Sequence, residues 1–122
     1  MLFRSRATIL ARRRAATGRP LDADYPYPVG RWRLGGEVEW IFLGGEVTVD
    51  YARRLKAEGR GTRGWVTAYA NDVMAYIPSV RVLKEGGYEG GGSMPLYGQP
   101  ALWSPQLESM ILDAVHRQLD RK

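Results

Sequence analysis

Hydrophobic and polar positions alternate most clearly between Gly30 and Leu43. Trp32 and Leu34 alternate with Arg31 and Arg33, which predicts a half-buried strand over residues 30–34. The Gly35-Gly36 pair that follows is a hairpin-turn signal, and a second strand is predicted over 37–43. The end of that strand, Trp40-Ile41-Phe42-Leu43, is apolar without interruption, so both of its faces are expected to be covered. Beyond Gly44-Gly45 the period changes. Val47, Tyr51, Ala52 and Leu55 share one helical face, which predicts a helix over 46–58 with Gly59 as its stop. A third strand is expected over 65–69, followed by the polar pair Asn71-Asp72. Strand, helix and strand between 37 and 71 read as a right-handed βαβ crossover.

The second half is shorter in its elements. Residues 80–85 predict a short helix stopped by Gly86-Gly87, and Gly90-Gly91-Gly92-Ser93 reads as a turned loop. Ser104 is expected to cap a last helix with Pro105 at its first position, a place that suits a residue without an N–H. Leu107, Ile111, Ala114 and Val115 would form its buried face. At the other end, residues 3–16 show weak helical spacing, with Phe3, Ile9, Leu10 and Ala15 among arginines. The segment from Asp22 to Pro28 holds two Tyr-Pro steps that favour extended backbone. It reads as a surface linker anchored by Tyr25 and Tyr27. The fold class is therefore α/β, a partial mixed sheet with flanking helices, divided into a basic arm (1–20) and a body (21–122).

Composition refines this in two ways. The formal net charge of +5 is not a property of the body. Residues 1–21 carry six arginines and no acid, while the rest carries 12 basic and 13 acidic side chains. With no cysteine there is neither a disulfide framework nor a thiolate zinc site. No apolar run approaches the roughly 20 residues of a membrane-spanning helix, and the apolar stretch 7–11 is too short for a secretory core.

The residues able to carry chemistry cluster after strands, where ligands gather in open α/β sheets. Glu46 follows the Gly-Gly pair. It can coordinate a metal or act as a base, or it can simply complement the positive end of its expected helix. Asn71, Asp72 and Tyr76 follow the next strand and should open on the same sheet edge. Tyr76 sits before Ile77-Pro78, where its phenol can donate a hydrogen bond or, deprotonated, bind a metal. It can equally be an amphipathic tyrosine packed at a domain edge. Tyr88 lies in a glycine-rich loop, but no lysine with serine or threonine follows at the spacing of a phosphate-binding loop. His116, the single histidine, has no HExxH spacing and reads as a structural residue on the last helix.

Taken together, Tyr25-Pro26-Tyr27-Pro28-Val29, Phe42-Leu43-Gly44-Gly45-Glu46-Val47-Thr48, Tyr69-Ala70-Asn71-Asp72, Tyr76-Ile77-Pro78-Ser79 and Glu85-Gly86-Gly87-Tyr88-Glu89 resemble the C-terminal part of the catalytic domain of neutral/alkaline (non-lysosomal) ceramidases. The likeness runs from about residue 21 to 119 and is closest to bacterial members without an appended β-sandwich. It implies a fragment or subunit of a zinc amidohydrolase acting on the N-acyl amide of ceramide-like lipids. Glu46 and Tyr76 match the glutamate and tyrosine metal ligands. Tyr88 matches a tyrosine that stabilises the oxyanion, and Asn71, with Asp72 beside it, matches a loop-shaping asparagine. The zinc would be shared with two histidines that this chain lacks and that would lie upstream, with most of the substrate groove. Val73 stands where many members have an aromatic residue, which leaves the acyl amide open. By itself the chain is expected to be inactive, because catalytic zinc sites use three protein ligands or more.

Two other readings compete. One is a non-catalytic binding module whose arginine arm meets anionic partners. Nucleic acid is not the expected one, since the arm has a single aromatic, Phe3, and no recognised nucleic-acid fold follows it. The arm also has the look of a transit peptide. The other is a stand-alone protein that pairs through exposed apolar surface. The resemblance implies contact with a membrane surface and says nothing definite of compartment.

Overall fold

The computed structural model describes residues 18, 24–59, 63–99 and 101–121 of the chain. Residues 3–16, expected to be helical, lie outside the described residues. Five strands and three α-helices follow: β1 (Val29–Leu34), β2 (Val38–Leu43), β3 (Glu46–Val47), α1 (Val49–Ala57), β4 (Arg63–Thr67), β5 (Tyr76–Ile77), α2 (Val80–Glu85) and α3 (Leu107–Leu119). A π-helical turn, Tyr88–Gly92, and a 3₁₀ turn, Met94–Tyr97, join α2 to the last segment.

β1 and β2 form the expected antiparallel hairpin, with Leu34 opposite Val38 and Trp32 opposite Trp40. Gly35 and Gly36 both take positive φ (60° and 75°), the backbone that matches the twist of the flanking strands and that glycine adopts without strain. β4 then adds parallel to β2, so the sheet order is β1-β2-β4. This is the mixed α/β arrangement the pattern implied. The third strand begins two residues earlier than expected and ends at Thr67, because Tyr69 and Asn71 turn the chain through positive φ (58° and 67°).

Two expectations are corrected. Glu46 and Val47 do not open the helix. They form a second, two-stranded parallel sheet with Tyr76 and Ile77, and α1 starts at Val49 after Thr48. The pull is tertiary: the backbone N–H groups of Glu46 and Thr48 donate to the carbonyls of Ala75 and Ile77. Nor is β2 covered equally on both faces. Glu39, Ile41 and Leu43 are buried, whereas Val38, Trp40 and Phe42 are half-buried on the other side. The run looks continuous only because large aromatics occupy the second face.

The core lies between the Ile41/Leu43 face and the helices. Tyr51 of α1 and Ile111, Leu112 and Val115 of α3 are buried there with Met74, Ala75, Ile77 and Met94. Leu112 joins the expected apolar set of α3, while Leu107 and Ala114 are half-buried. Pro105 lies in a turn before the helix instead of at its first position. Ser104 Oγ accepts the N–H of Gln106 there. The one acid inside the sheet, Glu39, is 5% exposed and pairs in two-pronged fashion with Arg31 (2.6 and 2.7 Å). Arg31 also donates to the carbonyls of Gln118 and Arg121, tying the end of α3 to the sheet.

Candidate functional site

The site is built where β2 ends. Leu43 runs into Gly44-Gly45, and Gly45 takes φ +73°. A Cβ there would lie 2.6 Å from Ile77 Cγ1 and 2.9 Å from the Ala75 carbonyl, so only glycine lets the two segments approach this closely. The hook is held by Gly45 N–H to Asp72 O (2.7 Å), Ala70 N–H to Leu43 O and Tyr69 N–H to Gly45 O. On the far side, Trp103 Nε1 donates to Tyr76 O (2.8 Å) and Gln99 Nε2 to Met74 O (2.9 Å). Thr48, buried beneath, accepts the N–H of Ser79, and Tyr51 donates to Pro78 O. Each backbone group near the site is thereby fixed by a non-local partner.

This frame makes Glu46 and Tyr76 direct cross-strand partners. The Glu46 carboxylate accepts a hydrogen bond from Tyr97 OH at 3.1 Å, and the Tyr69 and Tyr76 phenols lie beside it. Burial pushes the carboxyl up, but the three phenols outweigh it and hold it below the ordinary glutamate range. The phenols respond in the opposite sense. The bond to Glu46, then burial, pushes Tyr69 up to about 12 and Tyr76 higher still. Tyr97 rises mainly through burial. At neutral pH the site is thus one carboxylate held by protonated phenols.

Tyr88 joins through its ring, edge-to-face on Tyr76 at 5.5 Å between centroids, while Tyr97 lies at 6.2 Å from Tyr76. Tyr88 is exposed, on the rim. Beside the cluster a cavity of about 250 Å³ is lined by Glu46, Tyr69, Tyr76, Arg81 and Glu89 among others. Arg81 is held there by Asp50 and Glu85.

The structure therefore brings Glu46, Tyr76 and Tyr88 together. It keeps the other two residues at the supporting loop. Asn71 shapes the backbone through its positive φ, and the Asp72 carboxylate accepts Tyr25 OH at 2.5 Å. His116 lies elsewhere, 2.7 Å from Glu58. Among the described residues, no group of three or more His, Cys, Asp or Glu side chains gathers as a metal site. Tyr69 and Tyr97 were not singled out in the sequence. Tyr69 ends the strand expected over 65–69, a position with some local signal, but Tyr97 follows an unremarkable Met-Pro-Leu turn and reaches Glu46 only through the fold.

In chemistry, the site presents a carboxylate and a phenol on paired backbones, with the phenol holding its proton more tightly than a free tyrosine. No family model, no curated protein and no solved structure matches this chain.

Proposed function

We propose that this chain is the C-terminal part, or a separate subunit, of a zinc-dependent amidohydrolase of the neutral ceramidase type, which hydrolyses the N-acyl amide of ceramide-like lipids. The observation that supports the reading is the convergence of Glu46, Tyr76 and Tyr88. They are the three residues to which the resemblance gives ligand and oxyanion roles; Glu46 pairs with Tyr76 and Tyr88 packs its ring on Tyr76, although 42 positions separate the first from the last.

In this reading Glu46 and Tyr76 would hold the metal together with two histidines from the rest of the domain. Zinc, when bound, would supply a nucleophilic water near neutral pH and polarise the amide carbonyl. Tyr88, edge-to-face on Tyr76, would offer its hydroxyl to the oxygen on which charge develops. Tyr69 and Tyr97 orient the Glu46 carboxylate, as partners of metal ligands commonly do. Val73 and the cavity beside Glu89 leave the amide's identity open.

The test starts with the coding region upstream of Met1. An in-frame extension with histidine motifs is expected. The joined protein should then bind zinc and cleave a fluorogenic N-acyl sphingosine analogue. Turnover and zinc content that survive Glu46→Gln or Tyr76→Phe in the joined protein overturn the assignment. If the upstream region encodes something unrelated, the catalytic reading stands only with a histidine-bearing partner chain that co-purifies and restores turnover.

A further inference from the structure

A glycine stands on the helix-facing side of β4 where a core side chain would be expected. By strand alternation Gly64 shares that face with Val66, which packs on the core. Its cross-strand neighbour is Glu39, which in turn opposes Arg33. The backbone of Gly64 has an ordinary φ, and a Cβ built on it would meet nothing within 4 Å. Neither a turn nor a close approach of another backbone therefore requires glycine there. The remaining reason for a glycine inside a strand is space for a ligand. The space belongs to a cavity of about 200 Å³ between the sheet and the ends of α1 and α3. Protein interiors hold few voids larger than a water molecule, so a hollow of this size is more than a packing flaw.

The lining has two parts. Ile41, Leu55, Val66 and Leu119 make it apolar within. Around them stand two acids and two cations: Glu39, Glu58, Arg33 and Lys56. The acids are already engaged. Glu39 takes both prongs of Arg31 (2.6 and 2.7 Å), and Glu58 meets Arg54 (3.1 Å) and His116 (2.7 Å). The cations are not engaged to the same degree. Arg33 places Nε 3.0 Å from the Glu39 oxygen that Arg31 already binds, and its side chain is 52% exposed, so most of its five donors stay open. Lys56 has no ion pair or hydrogen bond among the described residues. The unmet charge at the cavity is positive, and its floor is apolar.

This combination selects an anion with a hydrocarbon tail. A carboxylate accepts charge-assisted bonds from both cations, while a tail on the apolar lining leaves water. Size limits the tail. At the roughly 30 Å³ that a water occupies, the cavity has room for about six or seven atoms. We propose that this cavity binds a short-chain aliphatic carboxylate of about six carbons, its head at Arg33 and Lys56 and its tail beside Gly64. The cavity lies at the Glu39 end of β2 and the Glu46 cluster beyond the other end, and the two share no residue. Binding here is thus independent of the catalytic reading.

The experiment is a titration of the full chain with hexanoate, hexanol and hexylammonium, followed by two-dimensional amide NMR. Hexanoate is expected to shift the signals of Leu55, Lys56 and Gly64 and to bind at least about ten-fold more tightly than either of the other two. Lys56→Gln should weaken hexanoate binding about ten-fold. Gly64→Leu, whose side chain enters open space, should abolish it and leave the thermal midpoint unchanged or higher. Should that variant fail to fold, Lys56→Gln and the map of shifted signals decide. No shift by about 10 mM hexanoate overturns the proposal. So does hexanol or hexylammonium binding as tightly as hexanoate, because the head would then not be recognised by its charge. Shifts centred on residues 1–21 overturn it in favour of general attraction to the six arginines there. Binding that a folded Gly64→Leu leaves intact places the ligand elsewhere and overturns it as well.

Discussion

Glu46 and Tyr76 face each other across a two-residue parallel ladder, and the nearby phenol helps hold the carboxyl below its ordinary range. Neither strand is long enough to stand alone. The pair exists because the Gly45 hook and the Trp103 indole fix the two backbones independently. A carboxylate and a phenol so placed are coupled: a change of proton or charge on one is felt by the other.

That coupling should be visible in titration. Tyr69 is raised to about 12 and Tyr76 is also raised, both chiefly by their bonds to Glu46. A phenol whose folded value lies above its unfolded one stabilises the fold fully below pH of about 10, and that contribution is lost as pH climbs through the folded value. Tyrosinate absorbance near 295 nm should therefore show a late-titrating class in the wild type. In Glu46→Gln that class should move back toward the ordinary range. An unchanged titration curve would mean the phenols do not lean on Glu46.

Acid should act through the carboxylates. The Arg31 bond holds Glu39 down, the Arg81 and Ser79 bonds hold Asp50 down, and phenols hold Glu46 down against its burial. For groups lowered in the folded state, the stabilisation is complete above the unfolded value, near 4–4.5, and fades as pH falls through the folded values. Urea midpoints are expected to be level from pH 6 to 9 and to drop below about pH 4.5.

Arg31 and Arg33 both touch Glu39, yet they should differ greatly in weight. The Arg31 side chain is 12% exposed and Arg33 52%. Arg31→Ala leaves a buried carboxylate with only the exposed Arg33 and frees the carbonyls at the end of α3, and should cost about 3 kcal/mol. Arg33→Ala should cost less than about 1 kcal/mol. Replacing the pair together, as Arg31→Met/Glu39→Leu, should recover most of the loss. Equal costs for the two arginines in denaturant unfolding would contradict this account.

Gly45→Ala tests the hook. The substitution combines a positive φ with a methyl 2.6 Å from Ile77 Cγ1. A loss of about 2–3 kcal/mol is expected, along with collapse of the late tyrosine class, because the β3–β5 register carries both. Gly59→Ala, at ordinary φ and 3.3 Å from the Lys56 carbonyl, is the control and should change stability by about 1 kcal/mol or less.

On the proposed reading, the chain assayed by itself should show no amide hydrolysis above a Glu46→Ala control, since it would offer only two of the ligands a catalytic zinc requires. In a joined, histidine-complete protein the same residue should matter strongly. Even outer partners of metal ligands change affinity or activity by about 10–100-fold, so loss of the ligand itself should exceed that.

What the sequence determined by itself was local. Alternation around Trp32, the Gly35-Gly36 turn, the helix over 80–85 and the apolar stripe of the last helix follow from periodicity and backbone preference, and each recurs in the structure. Motif order was enough to single out Glu46, Tyr76 and Tyr88 as a group. The rest depended on contacts between distant segments. Glu46 had the flanks of a helix start, but the hydrogen bonds that its own N–H and that of Thr48 donate to the Ala75 and Ile77 carbonyls drew it into a strand. Glu39 carries no mark of burial in the sequence, and only the hairpin brings Arg31 to it. Tyr97 carried no local mark, and only the turn after α2 brought its hydroxyl to Glu46. Helical and strand periods are written in neighbouring residues. Which carboxylate meets which phenol is decided by packing, where a few non-local hydrogen bonds outweigh the weak propensities of a two-residue segment.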